Sequence, residues 1–98
     1  MKIVTHAVHF DADQKLLDFI ERKLAKLEQF FDRIIGVDVF LKLENSSKVK
    51  DKVAEIKLNV PGATIIVKEM ALTFEAAVDV ALDSLKRQLI KHKEKERD

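Results

Sequence analysis

Cysteine, tryptophan and tyrosine are absent from this sequence, and glycine and proline are scarce, at two residues and one. Without cysteine there is no disulfide scaffold, no thiolate zinc site and no cysteine nucleophile, and the usage fits a reducing compartment. With Gly36 and Gly62 as the only glycines, and neither placed to open a helix, a Gly-rich phosphate loop is excluded and no cofactor is expected. Long apolar runs are missing too. No stretch approaches the roughly 20 residues that span a bilayer, and the opening residues Met1 to His6 carry no signal-peptide core. A soluble cytoplasmic protein without membrane contact is expected. Charge of one sign is also missing overall, since 18 Lys and Arg stand against 17 Asp and Glu, so net charge alone does not identify a nucleic-acid binder.

The 98 residues are 47% hydrophobic, enough for one cored domain over 1–98, with a charged tail at 94–98 expected to fray. Leu16, Ile20, Leu24, Leu27 and Phe31 recur at steps of three and four behind Asp13, a candidate N-cap, which predicts a first helix over 12–32. Phe74, Val78, Ala81, Leu82, Leu85 and Leu89 repeat the pattern behind Thr73 and predict a second helix over 73–93. Between them the period is two. Ile35, Val37, Val39, Leu41 and Leu43 alternate with mostly polar neighbours, as do Ala54, Ile56, Leu58 and Val60, joined by a hairpin connection at 45–48. Pro61-Gly62 marks a type II turn into a further strand over 63–72, and residues 2–10 supply a first strand. The expected fold is α+β, with the order β-α-β-β-β-α. A four-stranded sheet carries both helices side by side on one face, and β1-α1-β2 forms a right-handed crossover.

Catalytic groups are poorly arranged. Ser46 and Ser47 fall in the hairpin connection and Ser84 on a helix surface, none in an activating motif, so an enzyme is not expected. His6, His9, Asp11 and Asp13 form the one cluster of ligand-type side chains. His6 and His9 are three apart on a strand and point to opposite faces, so no metal site is expected.

The helix surfaces are more informative. Lys15, Phe19, Arg22, Lys26 and Arg33 share one flank of the first helix, with Lys23 beside them, while Asp18, Glu21, Glu28 and Asp32 take the opposite flank. On the second helix Ser84, Arg87, Lys91 and Lys95 form an exposed stripe, with Asp79 and Asp83 toward the other side. From Leu85 to Lys95 five bases stand against one acid. Arg22 with Lys26, Arg87 with Lys91 and Lys91 with Lys95 are i,i+4 repulsions costing about 0.2 to 0.5 kcal/mol each. A helix built for its own stability would interleave the signs. Packed side by side, the two basic flanks are expected to join into a surface for phosphate. RNA is favoured over DNA because no element resembles a major-groove recognition helix. All six Phe are assigned wholly or partly to the core, so no aromatic platform for single-stranded bases is expected.

The run from Phe74 to Lys95, FEAAVDVALDSLKRQLIKHKEK, is similar to the signature helix of the ribosome hibernation-promoting factors, also called ribosomal subunit interface or sigma-54 modulation proteins. Lys23-Leu24-Ala25-Lys26-Leu27-Glu28 and Phe31-Asp32-Arg33-Ile34 in the first helix, and the element order over the whole chain, carry the same resemblance. It implies a non-catalytic factor that binds the small ribosomal subunit near the decoding centre, overlaps the mRNA and tRNA sites and silences idle ribosomes. The RNA contacts it implies are Lys23, Lys26, Lys86, Arg87, Lys91, Lys93 and Lys95, to which the helical projection adds Arg22. Family members often have a basic residue where Ser84 stands and Gly-Arg where Ala7-Val8 stand. A chain ending at Asp98 resembles the short form, expected to be monomeric when free.

Two other readings compete. A double-stranded RNA-binding module has the same order from the first helix onward, but gathers its lysines at the start of its second helix, where Thr73-Phe74-Glu75 stand here. A protein-protein adaptor would use a sheet edge or an apolar surface and need no basic face.

Overall fold

The computed structural model describes residues 1–44 and 51–96. Strand β1 (Lys2–Ala7) leads to helix α1 (Gln14–Ala25), which tightens into a 3-10 turn (Lys26–Gln29). Strands β2 (Gly36–Leu43), β3 (Lys52–Val60) and β4 (Ala63–Ala71) follow, and helix α2 (Phe74–Glu96) closes the fold. The sheet order is β1-β2-β3-β4, with β1 parallel to β2 and the other pairs antiparallel. A parallel pair needs a long connection, and α1 is that connection.

Alternation sorts the strands into two faces. Val37, Val39 and Leu41 lie opposite Leu58, Ile56 and Ala54 in register, and all six are buried against Ile20, Leu24 and Leu27 from the first helical segment and Val78, Leu85 and Leu89 from α2. Both helices therefore cover one sheet face, as the periodicities require. Among the described residues no polar or charged residue is buried. The core is held by apolar burial, worth about 25 cal/mol per Å².

Local chemistry sets the ends. Asp13 Oδ1 accepts the Leu16 N–H at 2.9 Å, and Thr73 Oγ1 accepts the Ala76 N–H at 3.1 Å, so both expected N-caps form. Gly62 has φ of +80°, the value a type II turn demands after Pro61. A Cβ there would meet nothing within 4 Å, so the requirement is conformational rather than spatial.

Three boundaries depart furthest from expectation. The first helix does not run regularly to 32: the N–H groups of Phe30 and Phe31 both donate to Leu27 O, at 3.0 and 3.1 Å, and the last turn is 3-10. That tighter turn serves the terminal carbonyls while keeping Leu27 and Phe31 in the core. Strand β1 ends at Ala7 rather than 10, because His9 adopts φ of 64° and turns the chain, sending Phe10 to stack on Phe74 with centroids 5.1 Å apart. Helix α2 continues through Glu96, so residues 94–96 of the charged tail are helical. The hairpin connection at 45–48 lies outside the described residues.

Candidate nucleic-acid interface

Helix geometry decides which cations meet. Residues seven apart share a stripe, so Asp79, Lys86 and Lys93 lie on one side of α2. Their contacts show that this side faces the first helical segment. Lys23 Nζ lies 3.6 Å from Asp79 Oδ1, Lys86 Nζ sits 5.3 Å from the Phe30 ring centroid, and Lys93 Nζ donates to Phe30 O at 3.3 Å. Lys23, Lys86 and Lys93 thus mark the seam between the two helical segments.

Arg22 and Lys26 stand exposed on the first segment, and Arg87, Lys91 and Lys95 on α2. Among the described residues none of these five makes an ion pair. Phe19 steadies two cations, with the Arg22 guanidinium 5.7 Å and the Lys23 ammonium 5.4 Å from its ring centroid. Such contacts contribute about 0.5 to 1 kcal/mol at exposed sites and leave the charge available to solvent.

All eight residues assigned from the sequence lie on the helical layer, but they join differently from the expected side-by-side flanks. Lys91 and Lys95 border a hollow with Gln88, His92 and Ile65 of β4, so this part of the stripe runs along the side of α2 over the sheet's outer strand. The cations that close the seam are Lys86 and Lys93, which the projection onto a single helix axis did not separate. The result is a belt of cations across both helical segments. Lys23 is the most committed of them, since it is 29% exposed and faces Asp79, a geometry worth about 0 to 1 kcal/mol at the surface.

Two aromatic residues depart from the expected core assignment. Phe40 lies on the uncovered sheet face, stacked on His6 at 4.7 Å with Lys57 Nζ 5.3 Å from its centroid. Phe30 is 38% exposed at the helix seam. The adjacent Phe31 is 4% exposed and takes the core position.

His6 lies 3.5 Å from Asp38 Oδ1 on the open face, and among the described residues no group of three or more potential ligands is placed to hold a metal. Asp51 lies away from the belt at the start of β3. Its carboxyl is held below the usual carboxylate value by the hydrogen bond from Lys52, at 2.7 Å. No helix is long and apolar enough to cross a membrane among the described residues.

Comparison with known proteins agrees with the fold and the helix signature. The ribosome hibernation promoting factor of Azotobacter vinelandii is 38% identical over 96 residues, covering 98% of this chain and 86% of that protein. That of Escherichia coli (strain K12) is 42% identical over 82 residues, covering 84% and 82%. Among solved structures, a ribosomal subunit interface protein from Coxiella burnetii superposes with a TM-score of 0.83 at 25% identity, covering 95% of this chain and 98% of that one. The N-terminal domain of Thermus thermophilus Protein Y gives 0.76 at 28% identity, covering 93% and 94%. Residues 3–97 match the family described as Sigma 54 modulation protein / S30EA ribosomal protein, and the chain belongs to that family of ribosome-associated factors.

Proposed function

We propose that this protein binds the small ribosomal subunit through the outer surface of its helical layer, near the decoding centre, and promotes hibernation by excluding mRNA and tRNA. The observation that carries this reading is the belt of exposed Arg22, Lys26, Arg87, Lys91 and Lys95, unpaired among the described residues in a chain of net charge +1. Like charges one turn apart, as in Arg22 with Lys26 and Arg87 with Lys91, repel one another in the free protein. On RNA they displace condensed counterions and neutralise phosphate. The relatives are named for ribosome hibernation and for the ribosomal subunit interface, which points the same way.

The reading places the protein in the cytoplasm as a free monomer, with ribosomal RNA as its ligand and neither DNA nor membrane as a partner. It needs no catalytic step. Inhibition follows from occupancy, because a domain held where tRNA and message must lie competes with both. The test is equilibrium competition on purified small subunits. Bound initiator tRNA and message should lower the protein's affinity, and the protein should lower theirs by the same factor, as linkage requires. Ribosomal RNA free in solution should bind much more weakly than assembled subunits. Simultaneous occupancy with undiminished affinities overturns the exclusion mechanism.

A further inference from the structure

We infer that the hollow beside Phe30 receives an unstacked nucleobase of the small-subunit RNA, an inference that rests on the ribosome-binding reading above. The hollow, of about 310 Å³, is lined by Gln29, Phe30, Ile90, Lys93 and Glu94 at the seam between the helical segments. Its two apolar walls meet solvent side by side, Phe30 at 38% and Ile90 at 47% exposure. Leaving both uncovered forfeits burial that the free protein does not recover.

The surroundings specify the occupant. Phe30 offers a flat aromatic wall and Ile90 an aliphatic one, suited to the face of a planar base. Lys86, which is not among the lining residues, sits over the same ring, and Lys93 is tied to Phe30 O at 3.3 Å. Two cations thus stand where the phosphates flanking an extruded base would run. Glu94 is an acceptor on the rim and Gln29 both donor and acceptor, matching a base edge that presents N–H groups. An apolar side chain of a protein partner would use Phe30 and Ile90 but leave Lys86, Lys93 and Glu94 without counterparts. An RNA nucleotide engages all of them.

The test is affinity for purified small subunits as a function of salt. Phe30→Leu keeps an apolar side chain and removes the aromatic face, so binding should weaken roughly tenfold to a hundredfold. The slope of log K against log salt should stay unchanged, because no phosphate contact is lost. Phe30→Tyr should bind as wild type, and Ile90→Ala should weaken binding less than Phe30→Leu. Circular dichroism and melting should be close to wild type for all three, since both positions are exposed. Wild-type affinity in Phe30→Leu overturns the inference, as does a loss in Phe30→Tyr as large as in Phe30→Leu. The variant Arg87→Glu with Lys91→Glu, measured alongside, separates the two levels. If it loses binding while Phe30→Leu does not, only the nucleobase site fails; if it too binds as wild type, the ribosome-binding reading fails.

Discussion

The sheet's open face and the helical layer carry similar side chains, arranged on opposite principles. On the open face the register sets residues of opposite charge across from each other: Asp38 faces Lys57 across β2 and β3, and Glu55 faces Lys68 across β3 and β4. His6 stands 3.5 Å from Asp38, and Lys57 also covers the Phe40 ring. Opposite charges facing across strands contribute about 0.2 to 1 kcal/mol per pair, so this arrangement favours the fold. On the helical layer Arg22 and Lys26, Arg87 and Lys91, and Lys91 and Lys95 are like charges one turn apart. A surface that sets exposed bases one turn apart is suited to an anionic partner, whereas one that sets opposite charges across its strands is less so.

That contrast is breakable from the inside. Leu85 is fully buried between α2 and the sheet, and Leu85→Ala should destabilise the domain by about 2 to 5 kcal/mol, measured by urea unfolding. Binding should fall only in proportion to the unfolded fraction, because the substitution touches neither surface. Smaller in energy but specific to the helical layer is the salt response. Log K for small subunits should fall by about 0.9 per neutralised phosphate for each tenfold rise in salt, the duplex value, and Lys91→Gln should flatten that slope by about one contact while melting stays unchanged. A flat response in the wild type removes the electrostatic basis of binding.

Thr73→Ala deletes the bond to the Ala76 N–H and should cost about 1 kcal/mol by thermal or urea unfolding, with no change in affinity for subunits. The smallest effect belongs to the open face. Lys68→Gln removes one partner of the Glu55 pair and should cost about 0.2 to 1 kcal/mol, again without a change in binding. Weaker subunit binding in Lys68→Gln at unchanged stability would show that the open face also contacts RNA.

Strands and caps were legible because each rests on a local rule. Alternation of Val37, Val39 and Leu41 fixed one face of β2, Pro61-Gly62 announced the turn, and Asp13 and Thr73 are the residue types that cap helices. The end of the first helix was not legible, because a 3-10 turn and an α-turn both accept apolar residues three apart. Nor was the end of β1, where the left-handed residue is His9 rather than the glycine that usually marks such a position. The eight cations were all placed on the helical layer, but their grouping depended on which flank of α2 meets the first segment. That is a tertiary fact, visible only in the contacts of Lys23, Lys86 and Lys93. Nor was the exposure of Phe30 legible, because apolarity alone counts all six Phe wholly or partly toward the core, and which of Phe30 and Phe31 faces inward is set by how the chain leaves the 3-10 turn.

The functional contrast between the two surfaces is tested most directly by one side-by-side titration of purified small subunits with two double charge reversals. One is Arg87→Glu with Lys91→Glu on the helical layer, the other Lys57→Glu with Lys68→Glu on the open face. The first should lose subunit binding while melting stays near the wild-type value. The second should lose stability, by about 0.4 to 2 kcal/mol for two cross-strand pairs, and keep subunit binding in its folded fraction. Equal loss of binding in both variants, or retained binding in the helical-layer variant, would contradict the assignment of RNA binding to the helical layer.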